Sequence, residues 1–113
     1  MIVDDHPGFR ASARKLLKEE GFLVIGEAET GELGVELAQT LAPDVVLLDI
    51  VLPDLDGLEV AERLAKSRSK VILVSSRDPD DFGARLRRSS AVGFISKDDL
   101  SGDALDALLE EAS

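Results

Sequence analysis

Asp44-Val45-Val46-Leu47-Leu48-Asp49 sets four consecutive apolar residues between two carboxylates. A run this short and this apolar reads as a strand covered on both faces, as in a parallel sheet. Val71-Ile72-Leu73-Val74 repeats the pattern. Outward from these two, β-rich runs are expected at 1–3, 22–26 and 92–95, beside 44–49 and 70–75. Between them apolar residues return at helical spacing. Phe9, Ala13, Leu16 and Leu17 form one stripe, and Leu33, Leu37 and Leu41 a second. Leu58, Ala61, Leu64 and Ala65 form a third, and Ala104, Leu105, Leu108, Leu109 and Ala112 the last. Residues 80–88 read as a more polar helix whose Pro79-Asp80-Asp81 start puts negative charge where the helix dipole favours it. The order is β-α five times over. Such alternation with short connections predicts an α/β fold: a doubly wound, five-stranded parallel sheet with helices on both faces.

The chain has 113 residues, the size of one compact domain, so residues 1–113 are read as a single domain. Its net charge is −10. Nucleic acids and anionic membranes are gripped through basic patches, so neither is expected as a direct partner. Cysteine is absent, which excludes disulfides and thiolate-based metal or nucleophile chemistry. One histidine rules out a multi-histidine metal site within one chain. Trp and Tyr are missing, which disfavours base-stacking platforms. Apolar runs fall far short of the ~20 residues that span a bilayer, and no signal-peptide pattern opens the chain. The expectation is a soluble, cytoplasmic, acidic domain.

In doubly wound sheets, ligands sit beyond the carboxyl ends of the strands. The residues there are Asp4 and Asp5, Asp49, Ser75 and Ser76, and Lys97. Three carboxylates cannot share a small space at neutral pH without raised pKa values or a cation. A hard dication with oxygen ligands resolves the repulsion. Mg²⁺ (or Mn²⁺) fits, because it takes few carboxylates and completes its shell with water and phosphate oxygens. Lys97 is placed to pair with Asp49 or with a phosphoryl oxygen, and Ser75 to donate a hydrogen bond. These parts suit phosphoryl transfer to a carboxylate.

At this point the chain resembles the receiver domain of two-component response regulators along nearly its whole length. The matching pieces are Asp4-Asp5, the stretch from Asp49 through Ile50-Val51-Leu52-Pro53-Asp54-Leu55-Asp56 to Gly57, Val74-Ser75-Ser76, and Gly93-Phe94-Ile95-Ser96-Lys97. The resemblance implies a flavodoxin-like receiver fold with strand order 2-1-3-4-5. It implies that Asp49 accepts a phosphoryl group from a phosphohistidine of a sensor histidine kinase or histidine phosphotransfer protein. Asp5 would bind Mg²⁺ directly with Asp4 helping, and Asp49 and the Val51 carbonyl would be further ligands. Lys97, Ser75 and the backbone N–H groups of Ser76 and Val51 would hold phosphoryl oxygens, and Phe94 would turn inward as a switch. The domain would catalyse only its own phosphorylation and dephosphorylation. Homodimers through the last two helices or the first are compatible with the family.

Three departures matter. Only Met1-Ile2-Val3 precede the acidic pair, so the first strand is expected to be shortened. Asp98 follows Lys97 where the family commonly has Pro. That feature, with Asp5-His6-Pro7, resembles regulators that carry a helix-turn-helix output, so transcriptional regulation is expected of the full-length protein. Val51 and Arg77 occupy positions that tune water access to the phosphoryl group, and their bulk predicts slow dephosphorylation.

Plainer readings stand beside these. Asp4 and Asp5 also read as a helix N-cap pair before Pro7, His6 as a surface or structural residue, and Phe94 as plain core. Asp54 and Asp56 read as turn and N-cap residues before the third helix. Arg10, Arg14 and Leu17 are expected on the surface that a kinase reads, and Arg85, Arg87 and Arg88 on a solvated helix face. An aspartate-nucleophile phosphatase would want a second acid where Val51 stands. A flavin-binding domain would want a Ser/Thr/Gly-rich loop where Asp4-Asp5 stand. A stand-alone or phosphorylation-independent interaction domain of the same fold is the remaining alternative.

Overall fold

β3 (Val45–Asp49) lies between β1 (Ile2–Val3) and β4 (Lys70–Ser75), and its side chains alternate between two separate cores. Val46 and Leu48 face one core with Val3, Val71 and Leu73. Leu47 faces the other with Ile2, Ile72 and Val74. This period of two buries both faces of the central strands, which is why they read as unbroken apolar runs. The computed structural model describes residues 1–112. It completes the sheet with β2 (Glu27–Ala28) and β5 (Gly93–Ser96) in the order β2-β1-β3-β4-β5, with every ladder parallel.

The first core is closed by α2 (Gly31–Leu41) and α3 (Gly57–Leu64), through Ala38, Leu58, Ala61 and Leu64. The second is closed by α1 (Pro7–Glu19) and α5 (Gly102–Glu111), through Ala13, Leu17 and Leu105. α4 (Ala84–Arg87) precedes β5, and single 3-10 turns occupy Pro79–Asp81 and Lys97–Asp99.

Four local expectations need correction. The second strand is not 22–26 but Glu27–Ala28. β1 pairs only through Ile2 and Val3, whose partners are Glu27 and Ala28, so residues 22–25 have no strand beside them. They line an apolar cleft of about 320 Å³ with Leu17, Val45 and Leu105, and leave Leu23 exposed. The buried face of α2 is not its leucine stripe but Gly31, Gly34 and Ala38. A Cβ on Gly34 would stand 2.9 Å from Val3 Cγ1, so α2 lies too close to the sheet for leucine there. Residues 80–88 do not form one helix. Gly83 adopts φ +58, a left-handed conformation that suits glycine, and divides the 3-10 turn from the short α4. Asp4 and Asp5 are not the N-cap of α1. His6 holds that position without a side-chain cap, and Asp4 Oδ1 instead accepts from the His6 N–H at 2.8 Å.

Candidate functional site

Parallel strands point their carboxyl ends the same way, so the groups that follow them converge. Asp4 follows β1, Asp49 ends β3, Ser75 ends β4 and Lys97 follows β5. Among the described residues the buried polar or charged side chains are Asp4, Asp49 and Ser75. All three therefore belong to this one corner, where burial without chemistry would be costly.

Lys97 Nζ lies 2.7 Å from Asp4 Oδ2 and 3.2 Å from Asp49 Oδ2. The Asp4 contact is an ion pair outside hydrogen-bonding angles, so Asp4 Oδ2 accepts no hydrogen bond. One ammonium thus faces two buried carboxylates. Burial pushes the Asp49 carboxyl up to about 6. The Val51 N–H, donating to Asp49 Oδ1 at 3.1 Å, and the Lys97 charge offset part of that rise, while the Asp4 charge adds to it. Asp5 stands at the rim with its side chain 35% exposed.

The other predicted residues fall around this centre. Ser75 Oγ accepts from the Arg77 N–H at 3.0 Å, and Ser76 is exposed. Phe94 is partly buried and packs on the first core. Val51 is exposed and pairs across the loop with Asp56. Val51 and Arg77 line one open cleft of about 450 Å³ that also includes Asp54, Phe82 and Arg85. Arg85 is tied to Asp56 at 2.5 Å across that cleft.

Several participants escaped the sequence. His6 Nδ1 is 3.0 Å from Asp4 Oδ1 and 3.1 Å from Asp5 Oδ1. Phe9 places its ring 4.4 Å from Lys97 Nζ, a cation–π contact that helps hold the ammonium. Asp56 caps α3 as expected, accepting from the Leu58 N–H at 2.8 Å. Asp54, however, caps α2: it accepts from the N–H groups of Gly31 and Glu32 at 2.8 and 3.0 Å, which holds its carboxyl below the usual range. The β3–α3 loop is thereby fixed to α2. Leu17 is buried in the second core and cannot be read by a partner. Arg10 and Arg14 both bind Glu27, and Arg10 also donates to the Asp4 carbonyl at 2.7 Å. Arg10 therefore helps to build the site as well as lying on the α1 surface.

The donor set fits a divalent cation. One ligand atom from each of Asp4, Asp5, His6 and Asp49 falls within 4.8 Å of the others. Two anionic side chains are buried there, an excess of negative charge that Lys97 alone does not neutralise.

The comparisons with known proteins agree with this geometry. Residues 1–109 match the family model described as the response regulator receiver domain. The nitrate/nitrite response regulator protein NarL of Escherichia coli is 38% identical over 117 aligned residues, spanning 100% of this chain and 54% of the relative. The response regulator GacA of Pseudomonas aeruginosa is 38% identical over 100 residues, 86% of this chain and 47% of the relative. The chain thus spans about half the length of the curated relatives it matches. Among solved structures, the signal receiver domain of a modulated diguanylate cyclase from Desulfovibrio desulfuricans G20 superposes with a TM-score of 0.86. It is 34% identical, and the match covers 98% of this chain and 89% of that one.

Proposed function

Because this chain belongs to the response regulator receiver domain family, we propose that it is a phosphoacceptor whose Asp49 takes a phosphoryl group from a phosphohistidine. The observation that carries this reading is the buried Asp49 carboxylate, pinned by the Val51 N–H on one oxygen and by Lys97 on the other. The donor is a sensor histidine kinase or a histidine phosphotransfer protein, which places the domain in the cytoplasm. The bond from phosphorus to the imidazole nitrogen breaks, a bond to an Asp49 oxygen forms, and the donor imidazole leaves.

Asp5, Asp4, Asp49 and the Val51 carbonyl would hold Mg²⁺ or Mn²⁺, which would neutralise charge on the carboxylates and on the incoming phosphoryl oxygens. The protein's own groups do the positioning. Lys97, which sits between Asp4 and Asp49, is then free to turn its ammonium to a phosphoryl oxygen. The Val51 N–H, already on Asp49 Oδ1, the Ser76 N–H and the Ser75 hydroxyl would serve as further donors. Ser75 Oγ, which accepts from the Arg77 N–H and keeps its own proton to donate, would move toward the phosphoryl group, and Phe94 packs on the core beside it. That movement is a small bias between two packings, as a switch requires. The domain is a signalling module whose chemistry is confined to its own aspartate.

Curated relatives named as transcriptional regulators, one from Pseudomonas aeruginosa and BvgA from Bordetella pertussis, favour a transcriptional output in the longer protein. The receiver of a diguanylate cyclase shows that the fold alone does not decide it.

Intact-mass spectrometry after incubation with Mg²⁺ and a small phosphodonor tests the proposal. One phosphoryl adduct is expected, dependent on Mg²⁺ and absent in Asp49→Asn. No adduct on the folded wild type would leave a phosphorylation-independent interaction domain. Val51 and Arg77 both line the cleft beyond β3, and the bulk of their side chains would restrict water at the acceptor. The adduct should therefore persist well beyond seconds when followed by the same mass measurement, and a half-life of seconds would remove that role for the pair.

A further inference from the structure

We propose that His6 is a ligand of the metal site and makes it prefer imidazole-binding transition-metal dications, with Zn²⁺ as the probe, over Mg²⁺. The inference rests on the metal-assisted receiver reading above and names a property of that same site. His6 is the one histidine of the chain. Its Nδ1 lies 3.0 Å from Asp4 Oδ1, 3.1 Å from Asp5 Oδ1 and 3.9 Å from Asp49 Oδ2. Ligand atoms held at about 2.0–2.1 Å from a metal stand roughly 3 Å apart at neighbouring corners and about 4 Å apart at opposite ones. The His6 separations fall in that range.

The backbone aims the ring. Pro7 restricts the residue before it to extended conformations, and His6 adopts φ −94 and ψ 108. Its N–H donates to Asp4 Oδ1 at 2.8 Å, which fixes the peptide. The ring is not spent on capping α1, because His6 makes no side-chain cap bond.

Ordinary hydrogen bonding does not account for the cluster. One Nδ1 donates at most one hydrogen bond, yet it stands within 3.1 Å of oxygens from two carboxylates. Lys97 Nζ is the cation at hand, 2.7 Å from Asp4 Oδ2 as an ion pair and 3.5 Å from His6 Nδ1, yet Oδ2 of the fully buried Asp4 and Oδ1 of Asp5 accept no hydrogen bond. Acceptors exceed donors, and a cation shared by all four side chains satisfies them together. Mg²⁺ gains little from a nitrogen ligand, whereas imidazole suits Zn²⁺ and its neighbours, whose affinities also rise along the first row.

Titration calorimetry of the whole chain with Zn²⁺ and with Mg²⁺ tests this, using wild type, His6→Ala and Asp5→Asn. The His6 side chain is 62% exposed, so its removal should leave the fold intact, which circular dichroism verifies. Wild type should bind Zn²⁺ more tightly than Mg²⁺. His6→Ala should lose about tenfold or more in Zn²⁺ affinity and leave Mg²⁺ affinity within twofold. Asp5→Asn should weaken both ions. In parallel, the single imidazole Nδ1 resonance in ¹⁵N NMR should move when Zn²⁺ is added and stay in place with Mg²⁺. Unchanged Zn²⁺ affinity in His6→Ala, or an unmoved Nδ1 resonance, overturns the His6 inference while the Mg²⁺ site stands. Failure of wild type to bind either ion overturns the metal reading and the inference with it.

Discussion

Asp49→Asn should make the metal-free protein more stable at neutral pH while abolishing phosphoryl uptake. Asp49 is 2% exposed, and burial raises its carboxyl from 3.8 to about 6. The unfolded chain ionises first. The stability associated with the protonated form is fully present below about 3.8. It is lost as pH rises through about 6, because the folded state must then hold a charge that the unfolded state holds more easily. At about 1.4 kcal/mol per unit, the cost at pH 7 reaches roughly 3 kcal/mol. Asparagine removes the charge and keeps an oxygen for the Val51 N–H. Its amide nitrogen would face Lys97, 3.2 Å from the present Oδ2, and that returns part of the gain. A net gain of about 1–3 kcal/mol is expected at pH 7, shrinking as pH falls toward 4. Urea denaturation in a chelator across that range measures it.

The companion result is the response to metal. Wild type should recover stability when Mg²⁺ is added, by about 2.7 kcal/mol at a hundred times the dissociation constant. The asparagine variant should recover much less. A pH-independent difference near zero between the two proteins would mean that Asp49 is an ordinary solvated carboxylate. Under the proposed phosphoacceptor role, instability at Asp49 would leave a site where a cation or a phosphoryl group shifts the balance between packings.

How much of this was legible in the sequence depends on whether a feature is local. β3 and β4 were plain, because a strand buried on both faces must be apolar throughout. β2 was misplaced because Phe22, Val24 and Ile25 look strand-like, while pairing depends on where β1 begins. The face of α2 was misread because leucine signals burial in general, whereas here closeness to Val3 selects Gly34. Asp4, Asp49, Ser75 and Lys97 could be brought together from the parallel topology alone. His6, Phe9 and the Asp54 cap on α2 could not, since each depends on side-chain direction across separate elements. Adjacency to Asp4-Asp5 was the one available sign for His6, and it is equally the sign of a surface turn.

Gly57→Ala should be the most damaging small substitution in the chain. Gly57 opens α3, and its N–H donates to the Ile50 carbonyl at 2.7 Å. A Cβ there would overlap the Asp49 carbonyl oxygen and the Ile50 backbone. Neither can yield by rotating a side chain. Ile50 is bonded through its N–H to the Val74 carbonyl at 3.0 Å, and β3 is locked in register with β4. Either α3 lifts from the sheet and loosens Leu58, Ala61 and Leu64 from the first core, or the end of β3 shifts and carries Asp49 with it. Overpacking of this kind costs about 1–3 kcal/mol and occasionally more, and alanine's helix preference returns at most about 1 kcal/mol. A backbone clash belongs at the upper end, so a loss of about 3 kcal/mol is expected in urea denaturation, a large share of a typical domain's stability. Gly102→Ala is the internal control. Its Cβ would meet the Glu20 carboxylate, the far end of a flexible side chain, and the cost should stay under about 1 kcal/mol. Residual folded Gly57→Ala should also take up phosphoryl groups more slowly, because displacing the Asp49 carbonyl moves its carboxylate from Lys97. Equal stability of the two variants would show that the β3–α3 junction is looser than the close approach of Gly57 to Asp49 implies.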